Sequence, residues 1–173
     1  VEDPARRMPA MLRIAVLHEQ GGRPQQAIAV LHDVQGSDSE DGETLRNAFL
    51  LEGELLNRRG ELAASVDALN RGLQIFEDDR ALLYARALTY ERLDRVPEAI
   101  IDLQVLVGED PEDADALNAL GYTLADRTTE YEEALGYIER ALALAPEQGA
   151  ILDSMGWVLF KLGQLEEALD YLQ

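Results

Sequence analysis

Cysteine is absent from all 173 residues. That excludes disulfides, thiol catalysis and thiolate metal sites. Histidine is nearly as scarce, with only His18 and His32. They fall in successive helical stretches and lack the i, i+4 partner of a helical zinc site. His18 takes a packing position, so a core or half-buried role is expected for it. Positive charge is also short: 15 Lys and Arg stand against 34 Asp and Glu, a net charge of -19. Phosphate binding needs Lys and Arg, so nucleic acid and anionic membrane surfaces are disfavoured as partners. No apolar run reaches the ~18 residues of a bilayer-spanning helix, so direct membrane insertion by this segment is not expected.

Chemistry-bearing patterns are equally thin. No Gly-rich run follows a strand, which removes the phosphate cradle. Ser154 has no nearby histidine. Asp110, Glu112, Asp113 and Asp115 cluster without EF-hand spacing. Glu132-Glu133 and Glu166-Glu167 recur at the same point of successive units, which reads as solvated surface favourable to a helix dipole. No catalytic residue, metal site or cofactor is therefore expected, and the chain reads as a non-enzyme. It starts at Val1 and stops at Gln173 inside a helical pattern, with no signal peptide. The expectation is a piece of a longer protein, whose compartment this stretch does not fix.

What the chain does contain is one pattern, repeated about every 34 residues. Units start near Met8, Arg46, Arg80, Ala114 and Gly149, at intervals of 38, 34, 34 and 35 residues. The expected repeats are 8–45, 46–79, 80–113, 114–148 and a truncated 149–173. Each reads as two amphipathic helices with apolar residues at helical spacing. Small residues recur where two antiparallel helices approach: Gly53, Ala87, Gly121 and Gly156 in the first helices, Ser65, Ala99 and Ala134 in the second. Larger ones, such as Phe49, Tyr90, Leu117 and Leu152, fill the space beside them. One pair cannot bury its whole apolar surface, so neighbours must stack.

Local signals punctuate the pattern. Gly21-Gly22, Gly60 and Gly163 mark turns, and Pro24 suits the first position of a helix. The polar stretch from Gln35 to Thr44 reads as an enlarged loop. Thr129 with Glu132 fits a capping box, and Asp110-Pro111 offers an N-cap followed by proline. Glu52 and Arg86 stand at points of the repeat that otherwise carry apolar residues.

Leu117, Leu120-Gly121, Leu124, Tyr131, Ala134, Ile138, Ala141 and Pro146 closely resemble the tetratricopeptide repeat. Leu152, Met155-Gly156, Leu159, Gly163, Leu165, Ala168 and Leu172 do so equally. The resemblance implies an all-α fold, a right-handed superhelical solenoid of stacked antiparallel pairs with about five repeats. It also implies a concave face lined by the first helices, and hence a scaffold binding a protein or peptide there. The family's groove positions carry onto Asn57, Arg58, Tyr84, Arg92, Asn118, Tyr122, Trp157, Phe160 and Lys161. Asn and Arg suit peptide amides and carboxylates, and aromatic rings supply anchor area. Tyr122 and the sole tryptophan, Trp157, occupy the same position in consecutive units, and both are open to a second reading as packing against neighbouring helices. No register supplies the Lys and Asn clamp of the chaperone-tail-binding subtype.

The stretches 117–129 and 150–160 further resemble proteobacterial envelope lipoproteins, some of which are adaptors for a carboxyl-terminal processing protease. That likeness implies a periplasmic, outer-membrane-anchored full-length protein and a protease or its substrates as partner, the alternatives being a cytoplasmic protein and a self-assembling structural element.

Overall fold

In the computed structural model, residues 4–37 and 41–172 are described, and side chains from residue 9 onward. The described residues form ten α-helices and no strand. In chain order they are α1 (Pro4–Gln20), α2 (Pro24–Gln35), α3 (Gly42–Arg58), α4 (Leu62–Leu73), α5 (Arg80–Arg92), α6 (Val96–Glu109), α7 (Ala114–Arg127), α8 (Tyr131–Leu144), α9 (Gly149–Lys161) and α10 (Leu165–Tyr171). Successive helices pair, α1 with α2, α3 with α4, α7 with α8 and α9 with α10. The chain divides into two compact units, Val1–Thr89 and Tyr90–Gln173, with the division inside α5.

In the first unit, Ala15, Ala27, Leu31, Val34, Ala48 and Leu55 make one buried cluster, and Phe49, Leu69 and Leu82 another. In the second unit, Leu103, Leu117, Leu120, Leu124, Ile138, Ile151 and Val158 are each at most 2% exposed. Close approach within the pairs depends on the small residues. A Cβ on Gly53 would lie 2.7 Å from Leu69 Cγ, and one on Gly121 would lie 2.6 Å from Ile138 Cγ1 and 2.9 Å from Ala134 O. Such overlaps are beyond what a packed interior accommodates without movement.

Turn chemistry follows the sequence in part. Pro24 opens α2, and Gly22, Gly60 and Gly163 adopt positive φ between paired helices. The equivalent turn between α5 and α6 uses Asp94, at φ 61°. Two caps differ from expectation. α8 begins after Glu130 and has no side-chain cap; it is Thr128, not Thr129, that bonds the turn, its Oγ1 donating to Leu124 O and accepting from Glu130 N. α7 begins at Ala114, capped by Asp113, whose Oδ1 accepts from Asp115 N and Ala116 N at 3.1 Å. Asp110 instead bonds Glu112 N within the preceding turn. The enlarged loop is shorter than the polar stretch suggested, because α2 persists to Gln35 and α3 starts at Gly42. Residues 38–40 of that loop lie outside the described residues. Asp41 caps α3 by accepting from Thr44 N at 3.0 Å and Thr44 Oγ1 at 2.5 Å, and those bonds hold its carboxyl below the usual range.

Candidate functional site

In the first unit, α3 and α5 enclose an open groove of about 470 Å³. Leu50, Gly53, Glu54, Asn57 and Arg58 line it from α3, and Arg80, Tyr84, Ala85, Leu88 and Thr89 from α5. Its floor is mainly apolar, with Leu50, Tyr84 and Leu88, the last 40% exposed. Glu54 and Arg58 are exposed and bring opposite charges to the rim. Three residues singled out in the sequence, Asn57, Arg58 and Tyr84, thus come together here.

Asn57 has a second duty. Its Nδ2 donates to Thr89 Oγ1 at 2.7 Å, and Thr89 Oγ1 donates onward to Ala85 O at 2.8 Å. Beneath them, Ser65 Oγ donates to Gly53 O at 2.7 Å. The amide therefore ties α3 to α5 as well as facing the groove. The same tie recurs in the second unit, 34 residues on. Thr123 Oγ1 lies 2.6 Å from Glu91 Oε1 and 2.7 Å from Ala119 O. The next residues in that register, Ala125 and Val158, are both fully buried. Burial raises the Glu91 carboxyl above its ordinary value, against the lowering pull of the Thr123 hydrogen bond and Arg127.

The second unit carries the remaining candidates on α7, α9 and the end of α5. Tyr122 is 43% exposed, and burial followed by the charges of Asp126 and Glu91 pushes its hydroxyl pKa up. Trp157 stacks on Phe160 with centroids 5.6 Å apart and planes 24° apart. Lys161 Nζ sits 4.8 Å from the Trp157 ring centre, a cation–π contact. Trp157, Phe160 and Lys161 are therefore one cluster. Asn118 Oδ1 and Trp157 Nε1 are buried and have no hydrogen-bond partner among the described residues. Arg92 is exposed at the end of α5. Arg127, at the end of α7, pairs with Asp94.

One polar centre was not foreseen. Glu52 is only 3% exposed. His32 Nε2 lies 2.8 Å from its Oε1, Gln35 Nε2 donates to Oε2 at 2.7 Å, and Arg71 Nη2 reaches both oxygens at 2.8 Å. Arg71 also lies over the Phe49 ring at 5.6 Å. A buried carboxylate persists only when paired and bonded, and here α2 and α4 both supply partners to α3. The visible signal was Glu52 at an apolar point of the repeat. Arg86, the other such departure, donates to Asn70 Oδ1 at 2.7 Å.

Among the described residues, no group of three or more His, Asp or Glu is placed to hold a metal ion. Among the same residues, no helix is long and apolar enough to cross a membrane. Stacked helix pairs, with polar and aromatic residues presented from first helices, define a helical-repeat interaction scaffold. Tetratricopeptide repeat models match residues 9–38, 50–114, 84–149 and 123–173. The chain belongs to the tetratricopeptide repeat family, whose members are generally non-enzymatic protein–protein interaction scaffolds. It is 37% identical over 166 residues to a TPR repeat-containing protein of Pseudomonas aeruginosa, covering 96% of this chain and 28% of that protein. The chain thus spans little more than a quarter of the length of that curated relative. Its fold is similar to that of MamA (residue 41 to the end) from Desulfovibrio magneticus, with TM-score 0.78, 18% identity, and 95% of this chain and 90% of that one covered. A tetratricopeptide repeat protein from Parabacteroides merdae is similar at TM-score 0.81 and 16% identity, covering 95% of this chain and 63% of that one.

Proposed function

We propose that the chain binds an extended protein segment on its first-helix faces. The observation carrying this is the groove between α3 and α5, with an apolar floor at Leu50, Tyr84 and Leu88 and opposite charges at Glu54 and Arg58. The groove takes side chains while the rim orients the peptide by charge. In the second unit, Tyr122 with the cluster of Trp157, Phe160 and Lys161 offers aromatic anchor area, and Asn118 and Arg92 add polar contacts. A peptide-display selection against the chain tests the reading. Selected peptides should lose at least about tenfold in affinity to Leu88→Asp or Tyr84→Ala. In the second unit, Tyr122→Ala with Trp157→Ala tests the aromatic face in the same titration. Affinity unchanged in every variant, with the circular dichroism spectrum intact, refutes the assignment.

We propose further that the full-length protein is an envelope adaptor that recruits or activates a carboxyl-terminal processing protease, on the periplasmic side of the outer membrane. Supporting this are the likeness of residues 117–129 and 150–160 to such lipoproteins and the greater length of the curated relative. Mixing full-length protein with the processing protease of the same organism and an unfolded substrate is the test. Cleavage should accelerate, and an unaltered rate sinks the adaptor role while leaving the groove intact.

A further inference from the structure

The groove between α3 and α5 has a helix pair before it in the chain and further helices after it, so its openness is not set by either end of the sequence. Its lining changes in steps of four residues. Leu50 on α3 and Tyr84 on α5 share one register of the repeat, and Glu54 and Leu88 share the next. Arg58 follows four residues on, at the end of α3. Four helical residues advance about 6 Å along the axis, so the three steps cover about 12 Å. Arg80, at the start of α5, already interacts within the protein.

Each step has its own chemistry. At the first, Leu50 and Tyr84 are half-buried, and Ala81 and Ala85 beside them add little bulk. That step takes one aliphatic or aromatic side chain. At the second, Leu88 is 40% exposed and Glu54 is exposed as well. Open carbon and an open carboxylate in one register suit a side chain with an apolar stem and a cationic head, which is how lysine and arginine are built. At the third, the exposed Arg58 guanidinium suits a carboxylate. Among the described residues, neither Glu54 nor Arg58 has a side-chain hydrogen bond or ion pair, although one helical turn separates them. An extended chain turns every second side chain to the same face, about 6.6 Å apart. Three such side chains span about 13 Å, which matches the three steps.

We infer that the groove takes an extended segment with an apolar residue, a lysine or arginine, and an aspartate or glutamate at alternate positions, in either chain direction. The apolar residue sits against Leu50 and Tyr84, the basic one lies along Leu88 with its head at Glu54, and the acidic one meets Arg58. This names the ligand class of the peptide site proposed above and rests on that reading. The groove selects by the order of charges along the segment rather than by their sum.

Fluorescence anisotropy with labelled peptides tests it. The matched peptide carries leucine, lysine and glutamate at alternate positions, separated by serine. The swapped peptide exchanges its lysine and glutamate, and a helical control places the same three residues four apart among alanines. Each is made in both chain directions. The matched peptide should bind about tenfold more tightly than the swapped one at low salt, with the gap closing at about 0.5 M salt. Glu54→Arg combined with Arg58→Glu should invert that preference, and far-ultraviolet circular dichroism confirms that the variant is folded. Equal affinity for matched and swapped peptides, a preference unmoved by the double reversal, or binding of the helical control alone overturns the inference. Absence of matched-peptide binding up to about 1 mM does so too. Failure of the peptide site itself looks different: peptides selected by display then bind Leu88→Asp as well as they bind the unaltered protein.

Discussion

Removing Arg71 isolates the energetics of the buried Glu52 carboxylate. In Arg71→Ala, Glu52 keeps His32 and Gln35 but loses the side chain that bonds both of its oxygens. Breaking a fully buried ion pair costs about 3–5 kcal/mol. The Arg71 side chain is 45% exposed and water can replace part of what it supplies, so about 1.5–3 kcal/mol is expected. Loss of the Phe49 contact adds about 0.5 kcal/mol. Glu52→Leu should behave oppositely. It restores an apolar residue where the repeat usually has one and leaves the half-exposed Arg71 and His32 side chains free to hydrate. Replacing buried ionic groups by apolar ones is often neutral or stabilising, so a change between about zero and +2 kcal/mol is expected. Urea unfolding followed by circular dichroism reads both, with slopes compared so that a change in cooperativity is not mistaken for one in stability. In Glu52→Leu the Arg71→Ala change should cost only about 0.5 kcal/mol, the residual Phe49 contact. The reasoning is refuted if Arg71→Ala costs less than about 0.5 kcal/mol in the wild-type background, or costs the same with Leu at position 52.

Three further perturbations follow from the geometry. Gly121→Ala places a methyl 2.6 Å from Ile138 Cγ1 and 2.9 Å from a backbone oxygen, so it should destabilise by about 1–3 kcal/mol; Gly136→Ala, in open space on α8, should stabilise by about 0.5–1 kcal/mol, and thermal melts distinguish the two. Asp94→Gly relieves a positive φ at the cost of an exposed ion pair to Arg127, so a gain of up to about 1 kcal/mol should emerge in high salt, where that pair is screened. Glu91 has a folded pKa raised above its ordinary 4.5 by burial. The native state therefore holds its proton more tightly than the unfolded chain, and this group's contribution to stability falls as pH rises from the unfolded pKa through the folded one. Glu91→Gln, which donates to Thr123 as Asn57 does to Thr89, should raise the urea midpoint at pH 7 and lose that advantage at pH 4; equal gains at both pH values would exclude burial as the cause.

The sequence made the helix pairs legible because packing geometry repeats with the chain. Gly53, Gly121 and Gly156 sit where a Cβ would collide with the partner helix, and spacing alone exposes that demand. Pro24 and the turn glycines act locally, so they too are visible. Caps were less so: Thr128 and Thr129 are chemically alike, and only the exact end of α7 decides which one bonds the turn. Likewise both Asp110 and Asp113 have capping side chains, and the start of α7 selects Asp113. Glu52 was visible only as a departure, since its partners His32, Gln35 and Arg71 lie on two other helices and only folding assembles them. Asn57 stood out as a groove residue on the strength of its position, and its bond to Thr89 spends part of the amide on holding the groove together. Trp157, Phe160 and Lys161 looked like three separate side chains in one stretch, and helical spacing makes them a single stacked group.

The ties between successive first helices do not share one chemistry. Asn57 meets Thr89, Glu91 meets Thr123, and the next residues in that register, Ala125 and Val158, are buried and have no polar atom in their side chains. The repeats are therefore alike in outline but not interchangeable in order. Excising residues 114–148 would keep every helix pair whole and bring Glu91 opposite Val158, burying a carboxylate against a side chain with nothing to offer it. A pair stacked out of turn would meet a mismatched neighbour and lose the bond its own neighbour supplies. The differences at these few positions are thus what turns a row of similar parts into a fixed succession.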